Sequence, residues 1–161
     1  MPVQHLQQTR TGNARRSHPL DEAAIFENFL AAFLQGEGGK KHGVQAARAL
    51  KAHGLAFASA LCTPEPARVQ AMLARDTGQH VELALLQALR QCAQQLVDGY
   101  GGSLTNLARW CESAADFEAR LMKLSTMQSD ALSRFSRQLS AQFVPVAPRM
   151  RRAKRLAHIV H

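Results

Sequence analysis

The chain has 161 residues, 46% of them hydrophobic, with 20 Lys and Arg against 12 Asp and Glu for a formal net charge of +8. That is enough chain for one domain of roughly 110 to 130 ordered residues and too little for two separate cores. No apolar run approaches the ~18 residues needed to cross a membrane, so no spanning helix is expected.

The charge is unevenly distributed. Residues 1–20 carry three arginines and no acid, residues 149–161 carry five Lys/Arg and no acid, and the 12 basic and 12 acidic residues between them cancel. The sequence therefore divides into a flexible basic N-terminal arm (1–20), a neutral helical domain (21–148) and a basic C-terminal tail (149–161). The arm lacks the apolar stretch of a secretory leader. Cys62, Cys92 and Cys111 are odd in number and contain no Cys-x-x-Cys pair. Three buried thiols in a reducing, cytoplasmic setting are expected.

The first helix opens at Asp21-Glu22. Its apolar residues Ile25, Phe26, Phe29, Leu30, Phe33 and Leu34 recur at three-to-four spacing, which predicts a core element. Gly36-Glu37-Gly38-Gly39 ends it, and the helical pattern resumes over residues 43–53 with Val44, Ala47 and Leu50 on one face. Thr63-Pro64 reads as an N-cap with Pro at the first helical position, opening a short helix that Gly78 stops.

The longest helix is predicted from about Gln79 to Asp98, burying Val81, Leu85, Leu89, Cys92, Leu96, Leu86 and Val97. Ser103 can cap a helix carrying Leu104, Leu107, Ala108 and Trp110, with Trp110 expected in the core. Ser113 to Asp116 has capping-box spacing ahead of Phe117, Leu121 and Leu124. A last core helix carries Leu132, Phe135 and Leu139, and Pro145 and Pro148 stop it. The expected fold is all-α, a multi-helix domain of seven or eight short helices with basic terminal arms.

Tyr100-Gly-Gly-Ser-Leu104, Phe117-Glu-Ala-Arg-Leu121 and Phe135-Ser-Arg-Gln-Leu139, with Ala46 to Leu55 upstream, resemble segments of the helix-hairpin-helix DNA glycosylase superfamily. The resemblance spans residues 21–148 and implies that family's helical fold. In the family, a Leu-x-Gly-hydrophobic-Gly hairpin brings backbone N–H groups to a DNA phosphate. Here Met127 keeps the apolar position, while Thr126 and Gln128 replace the glycines. Ser129 and the helix start behind it remain as an anion site.

The resemblance also implies two catalytic positions. The attacking lysine of the bifunctional members is matched by Asp130, which cannot form a Schiff base. The catalytic aspartate's place falls near Pro148, which has no acid-base group. No cysteine follows Cys111 to hold an iron-sulphur cluster. A degenerate member without glycosylase chemistry and without cofactors is expected.

Other chemistry is thin. Lys40 and Lys41 follow the Gly-rich loop and can contact a nucleic-acid backbone, but the phosphate-loop spacing of nucleotide enzymes is absent. His42 with His53, and His158 with His161, have no partners at metal-ligand spacing. Glu118 and Arg120 read as an exposed charge pair. Tyr100, set between glycines, can stack on a base or cap the long helix. Arg149, Arg151, Arg152, Lys154 and Arg155 form the strongest feature: five charges in seven residues repel one another unless solvated or paired with phosphates.

The candidate nucleic-acid-binding residues are therefore Lys40, Lys41, Ser129, Arg149, Arg151, Arg152, Lys154 and Arg155. Three readings follow: a non-catalytic DNA-binding protein, a helical scaffold that meets an acidic protein partner, and a glycosylase with relocated catalytic groups.

Overall fold

The computed structural model describes residues 21–125 and 129–142. Eight α-helices and no strands lie among these residues: α1 (Glu22–Phe33), α2 (Gly39–Ala52), α3 (Ala58–Leu61), α4 (Pro66–Thr77), α5 (Leu83–Tyr100), α6 (Leu104–Trp110), α7 (Ala114–Ser125) and α8 (Asp130–Ala141). The all-α, multi-helix architecture expected from the sequence is present.

Two helices organise the packing: α1 lies against α2, α6 and α8, while α5 lies against α3, α4, α6 and α7. Helix α1 begins where its sequence signals it, with the Asp21 carboxylate accepting the N–H of Ala23 at 3.1 Å. All six of its predicted apolar residues are buried. Burial of each such side chain stabilises the fold by roughly 1.5–3 kcal/mol. Phe29 meets Phe26, Phe33 and, across to α8, Phe135, with ring centroids 5.4 to 5.8 Å apart.

Helix α2 fits against α1 because Gly43 has no side chain. A Cβ there would fall 2.0 Å from the carbonyl oxygen of Ala31. Helix α5 stops at Gly101, whose φ of 65° suits glycine and turns the chain towards Ser103.

Several expectations need correction. Helix α2 starts at Gly39 rather than at residue 43, so Lys40 and Lys41 stand in a helical first turn and not in a loop. Its buried face is Gly43, Ala46, Ala47 and Leu50, with Val44 only partly covered. Helix α3 has no counterpart among the expected elements.

Helix α4 opens at Pro66 instead of Pro64, and Glu65, not Thr63, is its N-cap. The physical reason is that Pro66 drives the residue before it out of the helical region: Glu65 has ψ 136°. Helix α5 begins at Leu83, four residues later than expected, and Leu85 is only partly buried. Val81 is nevertheless buried, on the link ahead of α5, where its carbonyl accepts from Gln70 Nε2 at 2.9 Å.

The box at residues 113–116 is half formed. Ser113 Oγ accepts the Asp116 N–H at 3.1 Å, but the Asp116 carboxylate reaches back to the N–H of Glu112 instead of Ser113. Only Cys92 among the three thiols is buried, with Cys62 and Cys111 at intermediate exposure. Trp110, expected in the core, is 70% exposed.

Candidate nucleic-acid interface

Of the eight residues that the sequence points to, Lys40, Lys41 and Ser129 lie in the described part. Arg149, Arg151, Arg152, Lys154 and Arg155 lie outside the described residues, as do Thr126, Met127, Gln128 and Pro148.

Lys40 and Lys41 occupy the second and third positions of α2, and both are exposed. No acid accompanies them in that turn, and neither forms an ion pair among the described residues. The unpaired N–H groups of a helix start carry partial positive charge, so two lysines there concentrate positive potential at a cost to the helix.

Ser129 is the N-cap of α8, its hydroxyl accepting the Leu132 N–H at 3.4 Å. The chain brings this helix start to the α1–α2 turn. Gln35 and Gly36 from the turn, Phe33, Leu85, and residues Ser129 through Leu132 with Arg134 line one open cleft of about 330 Å³. Two features that look unrelated in the sequence, the Gly-rich turn and the end of the hairpin, thus share a surface.

Among the described residues Arg134 is the cation of that cleft, and its Nε donates to the Asp130 carbonyl at 3.3 Å. Asp130 is exposed at the first position of α8, where its carboxylate competes with any incoming anion. Helix α6 differs from α2 and α8 because its start is already taken. Glu22 accepts the N–H of Leu104 at 2.7 Å and that of Thr105 at 3.2 Å, and it also accepts the Thr105 hydroxyl. No local signal in the sequence announces that contact.

The remaining candidates resolve into structural roles. Arg120 is not paired with Glu118; it donates to Asp116 Oδ1 at 3.1 Å and to the Tyr100 hydroxyl at 3.4 Å. The Tyr100 contact, then Asp116, push the guanidinium's pKa up, while the Glu112 N–H and Arg120 hold the Asp116 carboxyl below its ordinary value. Tyr100 is the last residue of α5, half-buried, with its ring anchored by Arg120.

His53 Nε2 lies 2.6 Å from Asp76 Oδ2 and ties the end of α2 to the end of α4. That hydrogen bond is the main cause of a lowered pKa at Asp76. Burial pushes the Cys92 thiol up to about 12 and also raises Cys62 and Cys111, so none is set up as a thiolate nucleophile. Among the described residues no group of three or more His, Cys, Asp or Glu is placed to hold a metal ion, and no helix is long and apolar enough to cross a membrane.

The chain matches no protein-family model, no curated protein and no solved structure. The functional reading therefore rests on the charge and geometry of the chain itself.

Proposed function

We propose that the protein is a non-catalytic nucleic-acid-binding protein that holds duplex DNA by its phosphate backbone. The observation that carries this reading is the partition of charge: a neutral body between two ends that hold eight basic residues and no acid. A charge excess serving only to keep a domain in solution has no need to be confined to the ends, whereas arms of Lys and Arg can follow a phosphate chain.

Lys40 and Lys41 add two exposed cations at the start of α2. The likeness to helix-hairpin-helix glycosylases belongs to this proposal as the origin of the scaffold. Asp130 in place of the nucleophilic lysine is the reason to read it as binding without excision.

Contacts of this kind position a protein without reading sequence. Affinity for a duplex should fall steeply with salt, log K dropping with log salt by about 0.9 per phosphate neutralised. The test is fluorescence anisotropy with a labelled duplex. Deleting residues 149–161 should weaken binding at least about tenfold at ~50 mM salt and flatten the salt slope. A deletion protein with an unchanged binding curve would remove the proposal.

A further inference from the structure

Helix α2 carries four cations, Lys40, Lys41, Arg48 and Lys51, and no acid. Every other helix among the described residues that holds two or more cations also holds an acid: Asp76 in α4, Asp116 and Glu118 in α7, Asp130 in α8. Five residues of α2 are exposed, and four of them are these cations; the fifth is Ala52. No Asp or Glu occurs between Glu37 and Glu65.

The helix gathers these charges on one side. At 3.6 residues per turn all four fall within about 100° of arc, along a stripe roughly 16 Å long. The buried residues Gly43, Ala46, Ala47 and Leu50 lie outside that arc, and α2 meets α1 and α4. Val44, the apolar residue within it, is already partly covered.

Two acids that the fold brings to α2 are engaged. Glu27 of α1 holds Lys51 at 2.9 Å, and Asp76 of α4 is held by His53 and Arg75. Lys40, Lys41 and Arg48 are exposed and form no ion pair among the described residues.

The chemistry of the stripe narrows its occupant. A protein interface is built around buried aromatic and apolar anchors and is depleted in lysine, and this face exposes nothing apolar larger than Ala52. Solubility alone is served by interspersed charges of both signs. A linear array of one sign complements a linear polyanion: each strand of a duplex presents a phosphate about every 3.4 Å along its axis, so a stripe of this length faces about five.

We infer that the outward face of α2 lies along the nucleic-acid backbone, with Arg48 neutralising a phosphate alongside Lys40 and Lys41. The inference rests on the proposed duplex-binding function and deepens it. It assigns Arg48 to the interface and turns α2 of the folded body towards the duplex, where contacts to phosphate set position without reading bases.

The test uses the full-length chain, a labelled duplex and anisotropy over a salt series, with Arg48→Ala, Arg48→Lys and, as a control, Arg137→Ala. Arg137 is exposed on α8 and likewise forms no ion pair among the described residues. Arg48→Ala should weaken binding roughly five- to fifteenfold at ~50 mM salt and lower the salt slope by about 1. Arg48→Lys, which keeps the charge, should stay near the parent, and Arg137→Ala should leave the slope unchanged. Urea midpoints of all three variants should match the parent, which separates lost contact from lost fold.

A parent that binds duplex while Arg48→Ala keeps its affinity and slope would overturn the inference and leave the role of the arms standing. Equal losses from Arg48→Ala and Arg137→Ala would reduce the effect to net charge and overturn it too. Poly-L-glutamate binding that weakens in Arg48→Ala, with duplex binding unaffected, would give the face to an acidic protein instead. No duplex binding by the parent at ~50 mM salt would overturn both the proposed function and this inference.

Discussion

Glu22, at the start of α1, caps α6 through the backbone N–H of Leu104, a bond of 2.7 Å between residues 82 positions apart. The same carboxylate takes the N–H and hydroxyl of Thr105, while Ser103 serves Asn106, so the N–H groups of α6 are satisfied from two directions. A seven-residue helix is too short to persist alone, and this cap fixes where it docks.

Replacing Glu22 by Ala leaves partly buried N–H groups without an acceptor. The expected loss is about 1–3 kcal/mol, with Glu22→Gln less severe because the amide oxygen still accepts. Urea unfolding of the two variants checks this, and equal stabilities for Glu22→Ala and the parent would disprove the cap's importance.

Two Gly→Ala changes should act in opposite directions. Helix propensity favours Ala over Gly by up to about 1 kcal/mol in a helix interior. At Gly99 in α5 an added Cβ meets nothing within 4 Å, so Gly99→Ala should stabilise by a few tenths of a kcal/mol up to that ~1 kcal/mol limit. At Gly43 the new methyl would sit 2.0 Å from a main-chain oxygen that cannot rotate away. Steric cost wins there, and Gly43→Ala should destabilise by about 1–3 kcal/mol by forcing α1 and α2 apart. Thermal or urea unfolding of the pair gives the signs.

Helix α1 is legible in the sequence because everything that specifies it is local: a capping Asp21 and an apolar stripe that includes three phenylalanines. The start of α2 is not, because Gly38-Gly39 reads as a helix breaker, whereas Gly39 takes a φ of 82° that lets the chain enter the helix at once. Trp110 reads as a core residue because it continues the Leu104 and Leu107 pattern. The helix ends at that residue, and the pattern alone cannot tell the edge of a packed face from the first position beyond it. Glu22 gives no signal, since its partner is a backbone N–H brought near only by the tertiary fold. For the candidate site, the charges are written in the composition, but the meeting of Gly36 with Ser129 in one cleft is a consequence of α8 packing on α1.

Acid should loosen the molecule through Asp76 and Asp116. Both carboxyls have pKa values below their ordinary 3.8 in the folded chain, Asp76 chiefly through His53 and Asp116 chiefly through the Glu112 N–H. A lowered folded pKa means that the stabilisation is present above the unfolded value and is lost as pH falls through the folded one. The window therefore opens near 3.8 and extends below it. Asp76→Asn should show a smaller drop in urea midpoint between about pH 6 and about pH 3 than the parent. An unchanged pH dependence would mean that the His53 contact contributes nothing in solution.

The lysines at the start of α2 permit a test in which binding and stability move oppositely. Lys40 and Lys41 sit in the second and third helical positions, where the helix end is itself positive, and no acid in that turn offsets them. Replacing both by Ala should therefore leave the fold as stable or raise it by about 0.3–1 kcal/mol, since repulsion is removed and Ala favours the helix. If these side chains meet phosphates, the same variant should bind a duplex more weakly, and its salt slope should fall by about 2, roughly 1 for each lysine that neutralised a phosphate. A variant that merely misfolded would lose stability and affinity together. Unchanged affinity with raised stability would take Lys40 and Lys41 out of the interface.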